Sequence, residues 1–236
     1  MSTSLVDEKT YTNKEDAGGE RNALDSQENQ WEEAFKCTEG MFGSKESYCA
    51  RKALEIFKRE KCESVLELGA GQGRDTIFFI KNGLRVDALD YSTKALDTID
   101  NRARQFNLSS NVNTLRYDIR KPLPFDDNTF DACYSHMLYC MALSTEELKF
   151  LSNEIQRVLK PNAFNIYTVR NTTDKHYKVG AHRGESMYQA GDFIVHFFDK
   201  AKIKDLSEGY EIVEIEDFEE GDLPRKLYFV AIRKKA

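Results

Sequence analysis

Three glycines at alternate positions follow a short apolar run in Val65-Leu-Glu67-Leu-Gly69-Ala70-Gly71-Gln-Gly73-Arg74-Asp75. Glycine reaches positive φ without strain and, lacking a Cβ, lets a ligand come close to the main chain. A second apolar run ends in Asp90, which stands 17 residues after Gly73 (90 − 73). An acid at the tip of the second strand of such a unit accepts hydrogen bonds from ribose hydroxyls. Together the two features predict a ribose-bearing ligand across the carboxyl ends of adjacent strands.

Spacing and charge then separate two ligand classes. The dinucleotide turn is G-x-G-x-x-G and aims helix N–H groups at a pyrophosphate. Here the spacing is Gly69-x-Gly71-x-Gly73, with Glu67 just upstream. A carboxylate there would oppose a pyrophosphate and suit the ammonium of a methionine-type cofactor. Charge therefore favours S-adenosylmethionine over a nicotinamide dinucleotide. An NAD-binding oxidoreductase and a non-catalytic S-adenosylmethionine-binding sensor or partner module are the alternatives.

The elements that must position these residues alternate. Strands are expected at 64–68, 85–89, 112–117, 130–137 and 164–169, and helices at 47–61, 74–81, 92–106 and 145–159. This rhythm predicts an α/β fold, a Rossmann-like doubly wound sheet with helices on both faces. A short helix at 200–206 and β-rich runs at 211–218 and 226–233 close the chain, the last strand antiparallel. The expected domains are a flexible tail (1–28), a helical cap (29–62) and the main domain (63–236), with an insertion at 171–197.

In order and spacing, residues 45 to 236 resemble class I S-adenosylmethionine-dependent methyltransferases of the type 11-like group. The resemblance rests on Glu67-Leu-Gly-Ala-Gly-Gln-Gly73, Asp90-Tyr91-Ser92, Tyr117-Asp118-Ile119, Leu123-Pro-Phe125, Phe130-Asp131-Ala132 and Arg157-Val-Leu-Lys-Pro161. The family usually carries two glycines after that proline, where this chain has Asn162-Ala163. The resemblance implies that Gly69, Ala70, Gly71 and Gly73 line the methionine and ribose side of the cofactor. It implies Glu67 at the ammonium, Arg74 at the methionine carboxylate and Asp90 at the ribose. Tyr91 would flank the adenine, Asp118 would accept from its amino group and Ile119 would offer a backbone N–H. Ser135 belongs to the same expected set.

The 4 histidines, His136, His176, His182 and His196, all fall between residues 136 and 196. His136 follows the fourth strand, near where a reacting methyl group would lie. The 171–197 segment adds Tyr177, Arg183, Glu185 and Tyr188 and reads as a lid over a methyl acceptor. His136, Tyr139, His182 and Arg183 are the expected acceptor-side residues. His136 or His182 would serve as general base for a hydroxyl or ammonium acceptor. His182-Arg183-Gly-Glu185 and Phe193-Ile-Val-His196-Phe-Phe198 loosely resemble tellurite-resistance and thiol methyltransferases, which would suit a small anion.

Composition narrows the partners. A net charge of −6 repels a phosphate backbone, so no nucleic acid partner is expected. After the fourth strand the chain reads Tyr134-Ser-His136-Met, unlike the motif of amino-methylating DNA enzymes. The 5 cysteines include no C-x-x-C pair, so free thiols, no metal and a cytoplasmic location are expected. No apolar run approaches the ~20 residues of a membrane span. The chain is thus expected to act on a small-molecule acceptor, as a monomer or homodimer.

Overall fold

The computed structural model describes residues 26–221 and 225–236. Most of the expected tail, residues 1–25, and three residues of the last hairpin therefore lie outside the described residues.

The elements run α1 (Gln27–Cys37), α2 (Tyr48–Arg59), β1 (Ser64–Leu68), α3 (Arg74–Lys81), β2 (Arg85–Asp90), α4 (Thr93–Gln105) and β3 (Val112–Arg116). They continue with β4 (Phe130–His136), α5 (Thr145–Val158), β5 (Leu159–Arg170), β6 (Ala181–His182), β7 (Met187–Ala190), β8 (Phe193–His196), α6 (Lys200–Asp205), β9 (Tyr210–Glu220) and β10 (Arg225–Lys234). The main sheet has the order β3-β2-β1-β4-β5-β10-β9. β3, β2, β1, β4 and β5 pair in parallel, and β10 runs antiparallel between β5 and β9. The strand order reverses between β1 and β4, so the carboxyl ends of β1, β2 and β4 share one crevice, where such sheets bind ligands.

Central strands buried on both faces divide the core in two. Val65, Val86, Ala132, Tyr134 and Phe164 pack against α2, α3 and α4. Leu66, Leu68, Cys133 and Tyr167 face α5 and α6. The helix starts are chemically marked. Ser47 caps α2, Ser92 caps α4, and Ser144 with Glu147 forms a reciprocal capping box on α5. Asp75 ties two of these layers together, accepting from Ser47 N and Oγ at 2.8 Å each and from the Tyr134 hydroxyl at 2.9 Å.

Two expectations change on contact with the structure. Helix α1 begins at Gln27, inside the expected tail. The 171–197 insertion is no structureless loop, since β6, β7 and β8 form a separate three-stranded antiparallel sheet. Turns at Gly184 and Gly191, both at positive φ, let this polar segment satisfy its own backbone. Asn162, where the family favours glycine, takes a left-handed φ of 65°, which asparagine tolerates better than most residues. Among the described residues no helix is long and apolar enough to cross a membrane.

Asp131, at the start of β4, accepts from Glu63 N, Ser64 N and Ser64 Oγ at 2.9 Å each and from Lys160 Nζ at 2.7 Å. Burial raises its pKa, but the lysine and the N–H donors outweigh that and hold it down at about 2. A carboxyl depressed on folding stabilises the protein above its unfolded pKa of about 4, and this stability drains away as pH falls toward the folded value. The stability gap between wild type and Asp131→Asn in urea unfolding should therefore shrink as pH is lowered from about 5 toward the folded pKa. A gap independent of pH would contradict the pairing.

Candidate active site

The turn from β1 to α3 is built from backbone that only glycine adopts readily. Gly69, Gly71 and Gly73 have φ of 67°, 53° and 75°. Gly69 N and Ala70 N donate to Leu89 O at 2.8 and 3.1 Å, so the tip of β2 holds the turn against β1. Asp90 completes the link, accepting from Gly71 N at 2.8 Å and from Ser92 N at 2.9 Å. Burial pushes the Asp90 carboxyl upward against these N–H bonds.

Glu67 lies at the end of β1, 3% exposed, and its Oε2 has no hydrogen-bond partner. Burial pushes its pKa up to about 8, so it is largely protonated at neutral pH. The Ser135 hydroxyl on β4 is also buried without a partner. Arg74 opens α3 and donates to Phe42 O at 3.3 Å, with its Nε 3.3 Å from Asp75. On the far side of β2, Tyr91, Asp118 and Ile119 line a cavity together with Leu138, Met141 and Gln27. Asp118 is tied bidentately to Arg120; burial raises its pKa, but the guanidinium outweighs that and lowers it overall.

Sequence reasoning missed how α1 straps this crevice. The Phe35 ring lies 3.5 Å from where a Cβ on Gly71 would stand. Gln72, inside the glycine turn, donates to Phe35 O and Thr38 O at the end of α1 and accepts from Met41 N. Ser92 Oγ donates to Glu32 at 2.5 Å. Gln27 reaches the small sheet through Ile194 N and Asp192 O, and the Trp31 ring packs against Phe193, tilted, with centroids 4.5 Å apart. The aromatic spacing Trp31–Phe35 was a legible sign of docking; the partner surface was not.

The expected acceptor-side residues do not all converge. His136 stands at the end of β4, its Nδ1 2.9 Å from Thr168 Oγ1 and its Nε2 2.9 Å from Glu220. Tyr139 is fully buried, stacked on Tyr167 at 4.2 Å, with its hydroxyl on Asn165. It is a packing residue of the core, a correction to its expected acceptor-side role. His182 is exposed and bonds to Glu185 O, while Arg183 donates to Gln189 on β7, so both are engaged within the small sheet and its turns. His176 accepts from Arg170, itself paired with buried Asp174. His196 is buried on Leu143 O beside Lys202 and Glu185; burial first, then the lysine, pushes its pKa down to about 4 and keeps it neutral.

A family model described as a methyltransferase domain matches residues 65–162. Over that stretch the chain is similar to methyltransferase domains. Phosphoethanolamine N-methyltransferase 1 of Triticum aestivum is 34% identical over 102 residues, which are 42% of this chain and 20% of that protein. The matched stretch is thus about a fifth of that relative's length. An S-adenosylmethionine-dependent methyltransferase of Methanosarcina mazei superposes with a TM-score of 0.69 at 19% identity, covering 80% of this chain and 99% of that one. The 1,6-didemethyltoxoflavin-N1-methyltransferase of Burkholderia thailandensis superposes with a TM-score of 0.65 at 16% identity, covering 98% and 94%. Both likenesses are likenesses of fold. The matched stretch holds the glycine turn, Asp90, Asp118 and His136; α1, the small sheet and the β9–β10 hairpin lie outside it.

The residues fit the cofactor such a domain implies. Side chains at the glycines would close the cradle, as a Cβ on Gly69 would meet Leu138 at 2.9 Å and one on Gly73 would meet Ile99 at 2.5 Å. The unpartnered Glu67 oxygen supplies the buried polar atom that a cationic ligand would satisfy. The Gly73→Ala variant should lose about 3 kcal/mol, from about 1–2 kcal/mol of left-handed strain plus overpacking at Ile99. That corresponds to a Tm roughly 6–12 °C lower in thermal unfolding. An unchanged Tm would mean the turn relaxes freely.

Proposed function

We propose that the protein transfers a methyl group from S-adenosylmethionine to a small-molecule acceptor by in-line displacement. One observation carries this reading: Glu67, the three positive-φ glycines and Asp90 adjoin at one crevice, held together by the Gly71–Asp90 bond. S-adenosylmethionine, when bound, supplies an electrophilic methyl group on a cationic sulfonium. Glu67 would hold the ammonium, Arg74 the methionine carboxylate and Asp90 the ribose hydroxyls. The cavity at Tyr91, Asp118 and Ile119 would take the adenine. Ala70 and Ser135 sit beside these groups on the turn and on β4. Helix α1 covers the turn and so would exclude water from the reacting atoms, the main demand of a displacement whose reactants need only alignment.

A small acceptor is supported by relatives of this domain. The wheat protein is named for phosphoethanolamine, and the Burkholderia structure holds 1,6-didemethyltoxoflavin with S-adenosylhomocysteine.

Calorimetry tests the cofactor assignment. S-adenosylmethionine and S-adenosylhomocysteine should bind in the micromolar range, and Asp90→Ala should weaken binding by about 2 kcal/mol or more, roughly thirtyfold. No binding by the wild type would refute the reading. Glu67 gives a second readout. Its pKa of about 8 leaves it protonated at pH 7, and an incoming ammonium favours the carboxylate. Binding at neutral pH should therefore release roughly one proton, seen as a dependence of the heat on buffer ionisation enthalpy. Glu67→Gln should abolish that release.

A further inference from the structure

His136 has both ring nitrogens engaged. Thr168 Oγ1 accepts from Met137 N at 2.9 Å and lies 2.9 Å from Nδ1. On the other side, Glu220 Oε2 lies 2.9 Å from Nε2. Burial raises the Glu220 carboxyl, but the His136 bond outweighs that and holds it below the ordinary range, so it has no proton to donate. Nε2 must then carry the hydrogen, and in the neutral ring Nδ1 accepts the Thr168 hydroxyl. A ring bonded this way has no free lone pair with which to take a proton. That bonding makes His136 a poorer candidate for general base than its place in the sequence suggests.

The free lone pairs at this point belong to Glu220. It is the last residue of β9 and is carried to the site by the β9–β10 hairpin. Its other oxygen, Oε1, stands 3.6 Å from Arg74 Nη1, and Arg74 directly follows Gly73. The carboxylate therefore spans the opening between the end of β4 and the glycine turn, with 24% of its side chain exposed. Segment 136–138 borders the same opening, because Leu138 packs against Gly69.

We infer that Glu220 is the proton acceptor for the transfer, positioned by His136 and Thr168, and that the site selects an acceptor bearing a proton on nitrogen or oxygen over an oxyanion. The inference rests on the methyl-transfer reading. In the step, the acceptor's X–H bond breaks and its heavy atom forms the new bond to the methyl carbon. The proton passes to the Glu220 carboxylate, and the electron pair of the broken carbon–sulfur bond stays on sulfur. Glu220 then returns the proton to solvent. A weakly basic carboxylate suffices, because X–H becomes more acidic as X binds the methyl group. Charge agrees: Asp75, Asp90 and Glu220 outnumber Arg74 and Arg225 around the opening, which disfavours an added anion.

Long-range proton–nitrogen spectra of the full chain labelled with ¹⁵N-histidine test this directly. The 4 histidines make assignment by His136→Gln simple. At about pH 8.5, above the usual histidine titration range, His136 should appear as the Nε2–H tautomer. Glu220→Gln should keep that tautomer, since its amide oxygen still accepts, and Glu220→Leu should lose it. An Nδ1–H tautomer in the wild type would leave Nε2 free as a base and overturn the proposal. In protein saturated with S-adenosylhomocysteine, methylammonium should shift the His136 signals in the wild type and not in Glu220→Gln. A shift with inorganic phosphate, or with neither probe, would overturn the acceptor class. Failure of S-adenosylhomocysteine to bind the same samples in calorimetry would instead strike the methyl-transfer reading, leaving the tautomer result to stand by itself.

Discussion

The bond from Gly71 N to the Asp90 carboxylate is the contact on which the site depends. It joins the turn after β1 to the tip of β2 where the strand order reverses, and so fixes the crevice in which a ligand can lie. The backbone it fixes is left-handed at three glycines, a shape that costs other residues about 1–2 kcal/mol each. Around it the fold supplies rigidity in layers: Leu89 O grips the turn from β2, Asp75 anchors α2 and β4, and Ile99 on α4 closes the space behind Gly73. The strain is local, and the buried sheet around it determines the geometry.

Two further bodies close on this crevice from opposite sides. Helix α1 lies on the glycine turn through Gln72 and Phe35 and grips the small sheet through Gln27 and Trp31, so the cofactor side and the insertion share one strap. The β9–β10 hairpin reaches over from the sheet edge, Phe218 packing on Tyr48 at 5.5 Å and Glu220 arriving at His136. The acidic run of β9 thus has two uses. Glu214 and Glu216 hold Lys52 on α2, and Glu220 faces the opening.

What was legible in the sequence was what local chemistry dictates. Apolar patterning gave away β1 to β5 and the helices between them, most plainly β1 and β4, which are buried on both faces and read as near-continuous apolar runs. Positive φ at Gly69, Gly71 and Gly73 and the position of Asp90 followed from residue type and spacing. Long-range placement was not legible. Tyr139 looked like a site residue by its distance from His136 along the chain, yet the turn after β4 sends it into the core against Tyr167. Glu220 lies 84 residues beyond His136 (220 − 136), and only the antiparallel return of β10 brings it back. His182 and Arg183 drew notice by type, but His182 lies on an outer strand, with Arg183 just after it, of a sheet that polar composition had disguised as a loop.

The most direct test of the account is a crystal structure with S-adenosylhomocysteine. The account predicts the ligand along Gly69–Gly73, its ammonium at Glu67, its ribose hydroxyls on Asp90 and its adenine between Tyr91 and Ile119. A ligand bound elsewhere, or a ribose that leaves Asp90 untouched, would contradict it.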